Sequence, residues 1–305
     1  MEFTELAAGL RFPEGPIAMQ DGTILLVEIE RGTLSRVTTD GSVEVVAECG
    51  GGPNGAALGP DGAVYITNNG GCFEWADFGG FLFPGGVPES WTGGCIQRVD
   101  LGTGAVEVLY DSCDGRPLRA PNDLVFDAHG GFWFTDHGVR GERSSDLTGV
   151  FYAAADGSSI QEVILPLEAP NGIGLSPDGS TLYVAETHTG RVWKWAVTGP
   201  GAVLIPTTLH AGGELLHGAP GLQLFDSLAV DSGGYVCVAT LSNGGITVID
   251  PSSGEAEHLG TDDPLTTNIC FGGQDHRTAF ITCSGTGRLI STHWPRPGLR
   301  LQFEG

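Results

Sequence analysis

Six positions spread along the chain carry a side chain that ends in oxygen, and each of them opens a similar short phrase. Each phrase continues with small or apolar residues, a polar turn and a second apolar run. The six residues, here called the anchors, are two carboxylates and four amides: Glu14, Asn54, Asn122, Asn171, Asp226 and Asn268. Because Ca²⁺ prefers carboxylate and amide oxygens, this set is typical of a site for a hard divalent cation.

The phrases predict the elements that would bring the anchors together. An apolar run, a turn such as Asp21-Gly22 or Asp61-Gly62, and another apolar run indicate a β-hairpin. Successive anchors lie 40, 68, 49, 55 and 42 residues apart, which is the range of propeller blades. We therefore expect an all-β chain with almost no helix, folded as one six-bladed β-propeller domain over residues 1–305. Since the first strand of each blade lines the central channel, the anchors would form a ring there.

A simpler interpretation of the anchors competes with this one. Asn and Asp before Gly are common turn residues, and each anchor could merely cap the start of a strand. Six such residues in register favour the ring. Its two carboxylates, Glu14 and Asp226, would balance the charge of a divalent ion.

The ends of the chain and one long interval carry further expectations. The run Leu299–Phe303 and part of the Phe3–Ala8 segment alternate apolar and polar residues, so both are predicted as strands that close one blade. The 68-residue interval holds an insertion, predicted over Cys72–Gly94 and rich in Gly, Phe and Trp. It would either cover the channel mouth or pack across the face of the ring.

Charge and cysteine content restrict the partners and the compartment. The formal net charge of −23 argues against binding to nucleic acid or to an anionic membrane. Residues 1–10 have no basic leader segment, and no stretch of about 20 apolar residues occurs. The seven cysteines lack CxxC spacing, which predicts reduced thiols and a cytoplasmic protein.

Several phrases together carry a family resemblance. They resemble the SMP-30/gluconolactonase/LRE family, and residues near the C-terminus resemble its bacterial gluconolactonase branch. The matching segments are Phe12–Pro16, Pro121–Asp123 with Phe134–Asp136, Pro170–Gly179, Thr267–Asn268 and Phe271–Gly273. The resemblance implies a six-bladed propeller with one divalent metal on the channel axis. It also implies hydrolysis of sugar lactones as the commonest activity, with organophosphate hydrolysis in some relatives.

The same resemblance assigns roles to individual residues. The metal ligands fall on Glu14, Asn171 and Asp226, while Asn122 falls on a position that binds either the metal or the water and substrate. Ca²⁺ is the expected ion, with Zn²⁺, Mn²⁺ and Mg²⁺ as alternatives. The family usually has Gly after the last ligand, whereas this chain has Ser227, whose hydroxyl could enter the site.

These residues predict a metal-dependent hydrolase that opens a small cyclic ester, a sugar lactone first. Asp226 and Asn122 are the expected catalytic residues, with Asp226 as base and His137 as the alternative base. Asn122, His137, Asn69 and Asn54 are the expected substrate-binding residues. His188 occupies a place similar to His137 one blade later, where a solvated loop residue is favoured. A neutral substrate suits the negative charge of the chain.

Three other functions stay open at this point. The same site could hydrolyse organophosphates or other esters. The chain could also be a propeller that only binds partners, or a metal-free propeller similar to strictosidine synthase that condenses amines. A metal assay separates these possibilities, because only the hydrolase interpretations need the oxygen ring.

Overall fold

The chain is built almost entirely from β-strands. The computed structural model describes residues 1–206 and 209–304. Within those ranges the only helix is the short 3-10 segment Leu209–Gly212. No helix described there is long and apolar enough to cross a bilayer.

Six antiparallel sheets follow one another along the chain, and in the first five the strands lie in sequence order from the channel outward. Blade 1 contains Pro13–Ala18, Ile24–Glu28, Thr33–Val37 and Val43–Glu48. Blade 2 contains Pro53–Leu58, Val64–Asn68, Cys95–Val99 and Val106–Tyr110. Blade 3 contains Pro121–Phe126, Gly131–Asp136, Leu147–Ala154 and Ile160–Glu168. The prediction of an all-β, six-bladed propeller is confirmed by these blades and the three that follow.

The remaining blades differ only in their outer strands. Blade 4 contains Pro170–Leu175, Thr181–Glu186 and Arg191–Gly199, with Ala202–Val203 and Glu214–Gly218 both paired to the third strand. Blade 5 contains Leu224–Val230, Val236–Leu241, Gly245–Ile249 and Ala256–Gly260. Blade 6 contains Thr266–Gly272, Thr278–Cys283, Arg288–His293 and the N-terminal strand Thr4–Ala7. Two small hairpins lie outside the blades: Trp75–Asp77 with Leu82–Pro84, and Ser112–Cys113 with Arg116–Pro117.

The ring closes through the N-terminus alone. Thr4–Ala7 pairs antiparallel with Arg288–His293, as the alternating pattern near the N-terminus predicts. The prediction of a strand at Leu299–Phe303 is wrong, because the free edge of blade 6 is already occupied by the N-terminal strand. Residues 299–303 instead cross the end of the channel, where the Phe303 ring packs edge-on against Phe126 with centroids 5.6 Å apart.

A local irregularity marks the anchor of every blade. The pairing of the first strand with the second shifts register at the anchor, or directly beside it, in all six blades. In blade 3, for example, Pro121 lies opposite Asp136, and regular pairing resumes only at Leu124. A β-bulge changes the direction of the side chain that it contains. The bulges therefore account for six polar side chains turning away from otherwise apolar strands.

Three hydroxyl groups, two on second strands and one directly after a second strand, connect a first strand at or beside its anchor to the preceding blade. Thr67 Oγ1 in blade 2 donates to the carbonyl of Asn122 at 2.5 Å, and Thr135 Oγ1 in blade 3 donates to that of Asn171 at 2.6 Å. Ser284 Oγ in blade 6 donates to the carbonyl of Pro13, beside Glu14, at 2.5 Å. These buried bonds hold neighbouring blades in register where the anchors lie.

Removing one of these hydroxyls tests their contribution to stability. Thr67 also accepts the N–H of Gly55, so Thr67→Val leaves a buried N–H and a buried carbonyl without partners. We expect a loss of about 1–3 kcal/mol in the free energy of unfolding. The measurement is chemical denaturation, with Thr198→Val on an exposed strand position as the control. Equal stability of the two variants would contradict the role of the hydroxyl.

Candidate functional site

The anchors gather around the channel. Glu14, Asn54, Asn122, Asn171 and Asn268 are buried, and Asp226 is partly exposed. The carboxylate of Glu14 accepts hydrogen bonds from its neighbour Gly15 N at 2.8 Å and from Asn268 Nδ2 at 2.7 Å. The anchors of blades 1 and 6 are therefore in direct contact.

The side-chain amide of Asn171 is held so that its Oδ1 points toward blade 5. Its Nδ2 donates to Thr187 Oγ1 at 3.0 Å, which fixes the orientation of the amide. Its Oδ1 lies 3.4 Å from the hydroxyl of Ser227, the residue after the Asp226 anchor. The hydroxyl of Ser227, which the sequence analysis allowed to enter the site, therefore lies beside the Asn171 anchor.

Asn122 provides an oxygen with nothing bound to it. Its Oδ1 is buried and has no hydrogen-bond partner among the described residues. A buried acceptor without a partner is costly in a folded protein and calls for an explanation such as a bound ion or water.

A third carboxylate joins the two that the sequence analysis identified. Asp123 directly follows the Asn122 anchor, is 7% exposed, and accepts the N–H of Leu124 at 2.9 Å. The equivalent position is glycine in blades 1, 2 and 4. The sequence therefore held a signal for Asp123, because it has a carboxylate where three other blades have glycine.

Burial disfavours the charged form of all three carboxylates, and the charge of Glu14 adds to this at Asp123 and Asp226. Burial raises the pKa of Glu14 to about 7, against its hydrogen bonds from Asn268 and Gly15. Burial first, and the charge of Glu14 second, raise the pKa of Asp123 to about 8. The same two causes raise the pKa of Asp226 well above its ordinary value. These shifts mean that a channel without a bound cation keeps protons that ordinary carboxylates release.

The donor set fits a divalent ion bound by oxygen. Within residues 1–206 and 209–304, no group of three or more His, Cys, Asp and Glu side chains could hold a metal. A site here therefore depends on the amide oxygens, and the unpartnered Oδ1 of Asn122 is one of them. With Glu14, Asn171 and Asp226 it makes an all-oxygen set, which suits Ca²⁺, Mg²⁺ or Mn²⁺ better than Zn²⁺.

Two of the proposed substrate-binding residues lie in blade 2. Asn54 is an anchor and is 6% exposed. Asn69 begins the loop after the second strand, and its Oδ1 accepts the N–H groups of Gly71 and Cys72. Its Nδ2 is buried with no partner among the described residues. Asn69 therefore shapes the start of the insertion through its Oδ1 and keeps its Nδ2 free for another partner.

The insertion packs across the face of the ring. The Trp75 ring lies 4.9 Å from that of Phe12, centroid to centroid, and Leu82 N donates to the carbonyl of Gly285 at 2.8 Å. The segment thus reaches from blade 2 to blades 1 and 6. Near its end, Trp91 lies under the guanidinium of Arg119 at 4.5 Å. A role in covering the channel mouth stays a prediction.

The two histidines of the sequence analysis form a pair. The rings of His137 and His188 lie 5.5 Å apart in an edge-to-face arrangement, and His137 Nδ1 lies 3.1 Å from the carbonyl of Gly138. Burial lowers the pKa of His137 to about 4 and also lowers that of His188. Both imidazoles are therefore neutral near pH 7, and His188 follows Thr187, the partner of Asn171.

Comparison with known proteins identifies one family over most of the chain. The sequence profile of the SMP-30/Gluconolactonase/LRE-like region matches residues 12–285. A gluconolactonase of Zymomonas mobilis is 26% identical over 304 residues, which cover 92% of this chain and 78% of that protein. Lactonase drp35 of Staphylococcus epidermidis is 31% identical over 159 residues, 52% of this chain and 46% of the relative's length.

Solved structures share the propeller. A gluconolactonase of Xanthomonas campestris is 24% identical with a TM-score of 0.74, covering 96% of this chain and 89% of that one. Regucalcin of Agrobacterium tumefaciens, described as a calcium-binding protein, is 16% identical with a TM-score of 0.72, covering 96% and 95%. At these identities the likeness supports the fold.

The raised pKa values predict how stability depends on pH once metal is removed by chelation. Between the ordinary carboxylate values near 4 and the folded values of about 7 and about 8, the folded chain binds protons that the unfolded chain has released. Stability should therefore decrease as pH rises through this window. We expect the melting temperature to fall by roughly 5 °C or more between about pH 5 and about pH 8.

The variant Glu14→Gln removes one of these carboxylates and should flatten the decrease. Glu257→Gln, on an exposed outer strand, is the matched control. A pH profile of the Glu14 variant identical to that of the parent would contradict the assignment.

Proposed function

Because the chain belongs to the SMP-30/gluconolactonase/LRE-like family, we propose that it is a divalent-metal-dependent hydrolase that opens a cyclic ester, with sugar lactones as the first substrate class. The observation that carries the proposal is the set of channel anchors, which all end in oxygen and include no cation, together with the buried Oδ1 of Asn122, which has no partner among the described residues. The gluconolactonase and lactonase relatives support the reaction class.

In this proposal Glu14, Asn122, Asn171 and Asp226 hold the ion, with Ca²⁺ as the first choice. A bound divalent cation would polarise the ester carbonyl and acidify water. Glu14 is already oriented by Asn268 and Gly15, and Asn171 by Thr187, so these two side chains need little rearrangement. Such fixed donors reduce the reorganisation that the reaction requires.

Asp226 is the proposed base. It is the one anchor that is partly exposed, so a water molecule in the channel can reach its carboxylate. It would take a proton from that water and return it to the leaving alkoxide as the ring opens. No anchor is a His or Lys that could take the proton instead.

The other residues bind the substrate in this proposal. Asn122 would position the lactone or the water, and Asn54 and Asn69 would contact substrate hydroxyls. His137 is neutral near pH 7, so it is suited to hydrogen bonding with an uncharged substrate. The net charge of −23 also favours a neutral small molecule over an anionic one. A cytoplasmic location stays a prediction.

The variant Asp226→Asn separates binding of the ion from catalysis. The amide keeps one oxygen for the ion but cannot act as a base at neutral pH. We expect partial metal binding and a loss of turnover of about 10²-fold or more. Opening of a lactone releases an acid, so a pH-indicator assay over sugar and aliphatic lactones measures the rate directly.

Asp156→Asn, in an exposed turn of blade 3, is the control for that variant. Full activity of Asp226→Asn would remove Asp226 from the mechanism. If the metal-loaded parent opens no lactone in the panel, the proposed reaction fails. Turnover of phosphoesters instead would keep the metal site and change the substrate class.

A further inference from the structure

A cavity of about 410 Å³ lies on the channel axis beyond the anchors, and we call it the chamber. Its walls come from the parts of the first strands that follow the anchors, and it reaches the turns at the far end of the blades. At that end the C-terminal residues Leu299–Leu301 border it. The chamber therefore opens toward the face of the ring opposite to the bulged ends of the first strands.

The walls of the chamber are mainly apolar. Each blade contributes aliphatic side chains from its first strand, among them Ile17, Leu58, Leu124, Ile173, Leu228 and Ile269. A cavity of this size lies within the range of sites for small organic ligands. It equals the liquid volume of about 14 water molecules at about 30 Å³ each.

The polar groups near the anchors have few hydrogen-bonding atoms left to bind water. Asp123 and Asn268 border the chamber, but Asp123 Oδ1 already accepts the N–H of Leu124 at 2.9 Å. Asn268 uses its Oδ1 for the N–H of Ile269 and its Nδ2 for Glu14. A buried water needs two to four polar partners, so water in the middle of the chamber is held weakly. An apolar molecule that displaces it gains affinity.

The charges around the chamber restrict the ligand further. Three carboxylates border its far end against one guanidinium, that of Arg300: Asp127, Asp178 and Glu304. An anionic ligand would be repelled by this excess of negative charge. A hydroxyl group can instead donate to the remaining acceptor capacity of a carboxylate such as Asp123.

We propose that the chamber is a second ligand site, for an uncharged, mostly apolar molecule with a terminal hydroxyl group. The ligand enters from the face where the C-terminal segment lies and so does not compete with the substrate of the anchor site. This inference goes beyond the proposed hydrolase function and does not depend on it. The chelated, metal-free chain binds the ligand as well.

The test uses 1-octanol as the probe and sodium octanoate as its anionic counterpart. Calorimetric titration of the full chain, after chelation of metal, should give saturable binding of one 1-octanol per chain. Octanoate should bind at least tenfold more weakly, because its carboxylate meets the acidic lining. No saturable binding of 1-octanol, or equal binding of both probes, would overturn the proposal.

Variants that fill the chamber test whether 1-octanol binds there. Ala57 in blade 2 borders the chamber and is only partly buried, so Ala57→Phe places a ring in the cavity. We expect at least a tenfold loss of 1-octanol affinity, while Val45→Phe, on the outer strand of blade 1 at a residue 49% exposed, leaves affinity unchanged. Cys270→Leu fills the same space from blade 6 and decides the matter if the Ala57 variant does not fold. Parental affinity in a folded filled variant would place the probe elsewhere and refute the site.

Discussion

The repulsion among three carboxylates at the channel, two buried and one partly exposed, is the constraint on which the centre of this molecule depends. Glu14, Asp123 and Asp226 come from three different blades, and the pKa of each is raised by burial. None of the six anchors is a cation that could neutralise them. A chain that concentrates negative charge in this way must either keep protons there at neutral pH or bind a cation. Binding of a cation would give the carboxylates a function.

The scaffold offsets this repulsion with close contacts between the first strands. A Cβ on Gly15 would lie 2.7 Å from the backbone nitrogen of Ala56, and one on Gly172 would lie 2.5 Å from that of Leu228. Only glycine allows the strands to approach so closely there, and at Gly15 the φ of +51° also favours it. Together with the bulges and the hydroxyls of Thr67, Thr135 and Ser284, these contacts fix the anchor positions before any ion binds.

The sequence predicted the blades better than it predicted the contents of the channel. Six hairpin phrases with regular anchors are a local pattern, so the propeller and the convergence of the anchors could be read from it. Asp123 was missed because its role depends on the carboxylates of other blades. The C-terminal strand was wrong since the alternation of Leu299–Phe303 says nothing about which edge is free. The pairing of His137 with His188 likewise depends on neighbouring blades, which local periodicity does not describe.

The metal content of the purified full chain, measured by mass spectrometry after mild dialysis, shows directly whether the channel binds an ion. We expect about one equivalent of a divalent ion per chain, Ca²⁺ first, and loss of that ion in Asp226→Ala, which removes a carboxylate from the channel. Lactone hydrolysis should disappear on exhaustive chelation and return on addition of the ion. A chain that binds no divalent ion, or that hydrolyses lactones fully without one, would show that the channel carboxylates do not form a catalytic metal site.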